Sequence, residues 1–469
     1  MKYAYTAKDP NTAYITNNLL LPKSAINARV IKAALTFITN EAVPVIDEET
    51  GEVVGEERKT IKLWDETNTH LVVPREFLTE DQYADFPCDF VAEPMPKFAK
   101  VKIGDRITLR DAEQEEAFNA VINSVSGTLN LACGRGKTVI ALKALAHFGV
   151  PAIVVLNSTF LLEQWKAEIA THLDVKSVGI VQGNDISWKG HPITLAMIHT
   201  LAGRRDKWTQ EFRRHFGVAV YDESHHMSAP IFVKGADLFY GMRVSLTATA
   251  NRTDGLEVIY QYHLGRITHT NLKQDLIPKT IFHKLKWVMP PWDKKQVEDR
   301  NESVSTARVK TYLGRQKWRN DLINKLIEKD LKDGRQILVL SHSVKHLIKL
   351  HEYTKKLGAG LIIGDVEQSS RVAILNNSNP VYGIFVLARE ALNKKSLDTL
   401  YVTTPFSNAN DLQQAWGRIQ RDFQGKQEPL VRVFEDTAFE NCLRACTALR
   451  RELKEKKYPF ERELTMERK

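Results

Sequence analysis

Long apolar runs are missing from this sequence: no stretch approaches the roughly 20 apolar residues of a membrane span, and the N-terminal MKYAYTAKDPNTAY has no hydrophobic signal core. A cytoplasmic protein with no membrane partner is the expectation. Cysteine is scarce as well, with four in 469 residues (Cys88, Cys133, Cys442 and Cys446) and no CxxC pair. That argues against a disulfide-stapled scaffold or a zinc ribbon and fits a reducing compartment. Cys442 and Cys446, one helical turn apart, read as two small core residues. Internal repeats at solenoid periods and low-complexity tracts are also lacking. What is present is 43% hydrophobic and 26% charged residues, a globular composition in a chain too long for one core, so two or three domains are expected.

The formal charge of +9 is unevenly spread. Residues 1–98 hold ten Lys and Arg against sixteen Asp and Glu, which leaves a net +15 for the remainder. A basic surface suits a polyanion partner, because neutralised phosphates release their counterions, but it also suits plain solubility. Residues 1–98 read as a separate small α+β unit with a β-hairpin around the acidic turn 47–58, followed by a proline-bearing linker at 92–100. Beyond it, short apolar runs at 129–132, 152–156, 194–198, 218–221 and 244–246 alternate with helical patterns, as in a covered parallel sheet. A second such series follows at 337–340, 361–363, 384–387, 399–402 and 430–434. The fold class expected is α/β, with an accessory region 1–98, a first parallel-sheet lobe 99–277 and a second lobe 278–469. Residues 290–309, polar and broken by prolines, read as an exposed excursion.

Two phosphate-handling segments lie far apart in the chain. In LACGRGKT (131–138), Gly134 and Gly136 free the backbone to aim N–H groups at phosphate oxygens, and Arg135 sits between them. Lys137 would reach the β- and γ-phosphates of ATP and Thr138 would ligate Mg²⁺. Leu131 stands where the general P-loop has glycine, which leaves the shorter form of the loop. Downstream, GVAVYDESHHM puts Asp222 and Glu223 at a strand's C-terminal end, where parallel sheets bind ligands. Asp222 would hold the metal and Glu223 would orient or deprotonate a water. His225 and His226 lack cysteine partners for zinc; His225 reads as a link from this site to neighbouring segments. The second segment, QAWGRIQR (414–421), brings arginines from the other end of the chain.

LACGRGKT, DESHH, SLTATANR and QAWGRIQR, in this order, resemble motifs I, II, III and VI of superfamily 2 helicases of the DExH branch. VVLNSTFLLEQW is similar to motif Ia, TLAMIHTL to motif Ib, and residues 387–398 to motif V. The resemblance covers roughly residues 105–435 and implies two tandem RecA-like lobes. It implies that Thr247, Ala248 and Thr249 couple nucleotide state to DNA grip, that Arg418 and Arg421 are arginine fingers, and that Gln414 contacts nucleotide or bridges the lobes. Gln114, preceded by Arg110, resembles the adenine-recognising glutamine, with one residue more than the usual spacing. Motif V has Glu390, Ala391, Leu392 and Asn393 where the family has a glycine and an acid.

Candidate nucleic-acid contacts are Ser158, Thr159, His199, Thr200, Arg204, Arg205, Ser341, Lys394 and Lys395, hydroxyls and cations suited to tracking phosphates rather than bases. Trp208 reads as an aromatic buried in the lobe, with base stacking as the alternative. Length and motif order resemble phage DExH helicases that remodel branched DNA. The function implied is an ATP-dependent DNA helicase acting on forks, single-stranded regions and Holliday-type junctions. An RNA helicase, a restriction-system motor and a non-hydrolysing nucleotide-gated DNA-binding module are the alternatives.

Overall fold

A computed structural model describes residues 9–46, 53–132, 134–225, 233–248, 255–274, 276–298, 303–364, 366, 368–385, 394–406, 415–421 and 423–468. They fall into two compact units, Met1–Leu272 and Lys273–Lys469.

The first unit is built on an eight-stranded sheet. From edge to edge its strands are Asp185–Ser187, Val178–Gln182, Ile193–Met197, Ala152–Leu156, Val218–Tyr221, Met242–Thr247, Ser126–Leu131 and Ile267–Asn271. All neighbours are parallel except the outermost pair, 178–182 with 185–187. The strands AIVVL, ITLAM and VAVY are buried along their whole length, because both faces of the sheet are covered. Leu142, Leu145, Leu162 and Trp165 pack on one face, Phe212, Phe216, Phe239 and Tyr260 on the other. Three adjacent strands, 218–221, 242–247 and 126–131, therefore end together at one edge of the sheet.

The apolar run at 13–21 folds as two strands, Ala13–Ile15 and Asn18–Pro22, which pair antiparallel. With His70–Pro74, Asp65–Glu66 and Phe90–Ala92 they make a five-stranded mixed sheet, beside a hairpin of Thr36–Ile46 and Val53–Lys62. This region is joined to the eight-stranded sheet by more than a linker. Leu19, Leu21, Leu71 and Val73 share one hydrophobic core with Leu256 and Ile259. Arg243, fully buried on the strand 242–247, donates to the carbonyls of Asn17 (2.7 Å), Phe239 (2.9 Å) and His263 (2.6 Å). Arg75 donates to Ser126 Oγ at 2.6 Å and to the Gly241 carbonyl at 3.1 Å.

The second unit is a seven-stranded, all-parallel sheet in the order Gly360–Ile362, Val381–Ile384, Ile337–Ser341, Thr399–Val402, Leu430–Asp436, Lys279–Lys286 and Phe460–Glu467. Cys442 and Cys446 lie buried on the helix Glu440–Glu455, as the sequence suggests. Beneath them Arg319 and Asp436, neither exposed, pair at 2.9 Å, and Arg319 also donates to the Thr403 carbonyl at 2.8 Å. A buried ion pair of this kind holds only because each further donor has an acceptor. Two parallel α/β sheets in tandem, with an N-terminal α+β region, are the expected fold class.

Candidate nucleotide and nucleic-acid sites

The strand Ser126–Leu131 runs into a loop and then the helix Lys137–Phe148. Gly134 and Gly136 take φ of +85° and +83°, a region that disfavours side chains. A Cβ on Gly136 would come within 2.4 Å of Gln114 Nε2. Gln114 is packed directly on the loop: its Nε2 donates to the Arg135 carbonyl at 3.2 Å, while its Oε1 accepts from Arg110 N–H at 2.8 Å. Asp111 caps the helix Ala112–Ile122 through Gln114 N–H and pairs with the Arg110 guanidinium at 2.8 Å. Lys137 Nζ donates to the Leu131 carbonyl at 2.9 Å, so its ammonium lies folded over the loop.

The neighbouring strand ends supply the acids. Asp222 is 7% exposed; its Oδ2 accepts the indole N–H of Trp165 at 2.8 Å, and its Oδ1 accepts the N–H of Glu223 at 2.9 Å. Burial, and next the negative charge of Glu223, push the Asp222 carboxyl up to about 6, against the pull of Trp165 and Lys137. Glu223 has φ of +48°, a left-handed conformation costly for a residue with a side chain, at the point where the acid leaves the sheet. His225 Nδ1 lies 3.4 Å from Glu223 Oε2 and 3.2 Å from the hydroxyl of Thr247. The structure thus brings DESH and the end of the strand 242–247 into contact. The oxygen donors at hand, the Thr138 hydroxyl and a buried carboxylate whose charge is costly without a cation, fit a hard divalent ion such as Mg²⁺. Among the described residues no cluster of three or more His, Cys, Asp or Glu side chains could hold a metal on its own.

The candidate nucleic-acid residues separate into two groups. Ser158 caps the helix Thr159–His172 by accepting from Leu161 N–H at 3.3 Å. Thr159 Oγ1 accepts from Gln182 at 3.2 Å, Thr200 Oγ1 accepts from Gly183 N–H at 2.9 Å, and Arg204 donates to Asn184 at 2.7 Å. His199, beside Thr200, lies on the short helix Ile198–Gly203. These groups sit at or on the helices that follow the strands 152–156 and 193–197, and Thr159, Thr200 and Arg204 bond to the turn at 182–184. Three other candidates are committed to the fold. Arg205 forms a two-pronged ion pair with Asp237, whose carboxyl it holds down at about 2 against the opposing effect of burial. Ser341 is fully buried, its hydroxyl bonded to His346 Nδ1 at 3.0 Å, so surface contact through it is excluded by packing. Lys394 donates to the Ser378 carbonyl at 2.9 Å, and burial lowers its ammonium below the usual range. Lys395 is exposed. Trp208 is partly buried: it stacks on Phe212 with centroids 4.2 Å apart and donates to the Leu201 carbonyl.

On the second unit, Arg418 and Arg421 follow the buried Ala415 and Trp416 and flank buried Ile419 and Gln420; both are partly exposed. Gln414, Thr249, His226, Cys133 and motif V residues 390–393 lie outside the described residues. Sequence reasoning missed Trp165. Its signal was a ring with one N–H on a helix otherwise packed with aliphatic side chains, since a buried indole needs an acceptor.

The tandem parallel sheets, the glycine loop and the DESH acids are the arrangement expected from the resemblance to superfamily 2 helicases of the DExH branch. Residues 106–252 match the family model described as Type III restriction enzyme, res subunit. The chain is 26% identical over 341 residues to a protein of Acanthamoeba polyphaga mimivirus named as an ATP-dependent RNA helicase, covering 69% of this chain and 63% of that one. It is 34% identical over 181 residues to the DNA 3'-5' translocase XPB2 of Sulfurisphaera tokodaii, covering 38% and 39%. The chain thus spans less than two thirds of the length of these two relatives. In fold it is similar to S. cerevisiae Dbp5 bound to RNA and ADP BeF3, at a TM-score of 0.54 and 13% identity, covering 76% of this chain and 90% of that one.

Proposed function

We propose that the chain is an ATP-dependent DNA helicase or translocase, with its Mg²⁺-ATP site at the carboxyl edge of the first sheet. The observation that carries this reading is the convergence of the glycine loop, Asp222 with Glu223, and Thr247 at the ends of three adjacent parallel strands. The N–H groups around Gly134 and Gly136 and the start of the helix 137–148 receive the phosphates. Lys137 leaves the Leu131 carbonyl for the more negative phosphate oxygens, and Gln114 with Arg110 borders the base. Thr138 and Asp222 hold Mg²⁺, which when bound neutralises charge on the phosphates. Glu223 orients the attacking water and takes its proton. His225 reports the state of that acid to Thr247. Arg418 and Arg421 act as arginine fingers, with Gln414 beside them in sequence.

Ser158, Thr159 and Thr200 already accept hydrogen bonds, and each keeps a hydroxyl hydrogen for a phosphate oxygen, a sequence-independent grip shared with His199, Arg204 and Lys395. The name of the archaeal relative favours DNA; that of the mimivirus relative supports RNA as the second reading. Motif order and the N-terminal region support branched DNA as the preferred form. ATP-driven strand separation on a tailed duplex, a fork and a four-way junction, with matched RNA controls, tests both choices. Faster unwinding of the branched DNAs is expected; an equal or greater rate on RNA would transfer the reading to RNA.

A further inference from the structure

The excursion at the start of the second unit carries an unusual pair of features. The 3₁₀ turn Pro291–Gln296 presents Trp292 at 80% exposure, although large apolar rings are seldom left so open. The turn is not loosely held. Val297 behind it is fully buried with Val309, Tyr312 and Leu313, and the Tyr312 hydroxyl donates to Asp293 Oδ2 at 2.8 Å. Beside the turn lies a depression of about 350 Å³ lined by Lys295, Gln296, Ala307, Arg308, Thr311 and Arg315. Its wall is the helix Thr306–Arg315, on which Arg308, Thr311 and Arg315 share one face by their i, i+3, i+7 spacing. Three cations, a hydroxyl and an amide thus surround one notch, and among the described residues no carboxylate lines it. In a 3₁₀ helix residues i and i+3 eclipse, so Trp292 stands on the same face of its turn as Lys295.

We infer that this surface binds a single nucleic-acid strand, with a backbone phosphate in the Lys295–Arg308–Arg315 notch and a base stacked on Trp292. Three converging cations suit a polyanion, and an open indole beside them supplies sequence-tolerant stacking. The inference rests on the proposal that the chain binds nucleic acid, and it adds a contact on the second unit that the helicase motifs do not contain.

The test uses the full chain and a fluorescein-labelled single-stranded oligodeoxynucleotide, followed by anisotropy across a salt series. Trp292→Ala weakens binding at least ~5-fold, the lower end of the stacking range, and Trp292→Tyr restores most of it. Arg308→Glu/Arg315→Glu weakens binding further and flattens the slope of log K against log salt by ~0.7, the contribution of one phosphate, while Lys355→Glu/Lys356→Glu, an equal charge change elsewhere on this unit, has little effect. Thermal melting confirms that each variant is folded. A strand carrying 5-bromodeoxyuridine photocrosslinks to Trp292, located by mass spectrometry. If the unaltered protein binds the strand and the Trp292 and arginine variants bind equally well, or the Lys355/Lys356 variant loses as much as they do, this surface is refuted while the DNA reading stands. If the unaltered protein binds no strand at all, both fail together.

Discussion

The indole N–H of Trp165 donates to Oδ2 of Asp222 across 2.8 Å, in a place where Trp165 is fully buried and Asp222 nearly so. One helix, 159–172, therefore holds at its start the candidate strand contacts Ser158 and Thr159 and, two turns on, the partner of the carboxylate assigned to Mg²⁺.

Trp165→Phe keeps most of the ring and removes the donor. A hydrogen bond to a charged group is worth roughly 1.5–3 kcal/mol, so the ionised form of Asp222 loses support that burial does not replace. Mn²⁺ affinity in the presence of a non-hydrolysable ATP analogue, read by electron paramagnetic resonance, should fall about tenfold. Unchanged affinity would reduce Trp165 to a packing residue.

The Asp222 carboxyl titrates near 6 in the folded chain, above the ordinary 3.8. Because its folded value is raised, the native state binds more protons than the unfolded chain between about pH 4 and 6, and stability falls as pH climbs through that window. Metal binding requires the anion. Loading Mg²⁺-nucleotide should therefore release more protons at pH 6 than at pH 8, as measured by calorimetry in buffers of different ionisation enthalpy. Asp222→Asn should abolish the difference between the two.

Arg205 was expected at the nucleic-acid surface, and the structure commits it to Asp237. Arg205→Ala should cost stability, about 2 kcal/mol at pH 7 from the depressed Asp237 carboxyl alone, with strand affinity nearly unchanged. Since that carboxyl is held down at about 2, its contribution is present above pH 4 and is lost as pH falls from 4 towards 2. Chemical denaturation of both proteins at pH 7 and pH 3 gives the comparison. Arg204→Ala should do the reverse, weakening strand binding and sparing stability.

Arg243 ties the N-terminal region to the strand 242–247 through the Asn17 carbonyl and also holds the carbonyls of Phe239 and His263, and burial lowers its guanidinium to about 10. Removing it leaves buried acceptors without a donor, at about 1–3 kcal/mol each. Arg243→Ala should lower the melting temperature by well over 5 °C. Deleting residues 1–98 should yield a protease-sensitive first unit, because Leu256 and Ile259 lose the core they share. A truncated chain that melts like the full one would show the N-terminal region to be dispensable for folding.

Much of this was legible in residue pattern. AIVVL at 152–156 and VAVY at 218–221 read as buried strands and are buried strands, since only a covered parallel sheet tolerates such runs. The glycine loop and the DESH acids are contiguous in sequence and could be read locally. Two edge strands, Ile267–Asn271 and Phe460–Glu467, passed unnoticed because they are polar and largely exposed. Trp165 with Asp222, Arg205 with Asp237 and Arg243 with Asn17 are contacts between distant segments, which spacing cannot encode. The neighbouring cations Arg204 and Arg205 read alike in sequence, which could not say which arginine had a buried acid waiting for it.

The central claim is that the carboxyl edge of the first sheet hydrolyses ATP in response to nucleic acid. The most direct measurement is steady-state ATP hydrolysis by the purified full chain with and without single-stranded DNA, together with Lys137→Ala and Glu223→Gln. DNA should stimulate turnover, both variants should lose it, and Glu223→Gln should still bind ATP. Hydrolysis that ignores DNA, or that survives at near-normal rates in either variant, would contradict the claim.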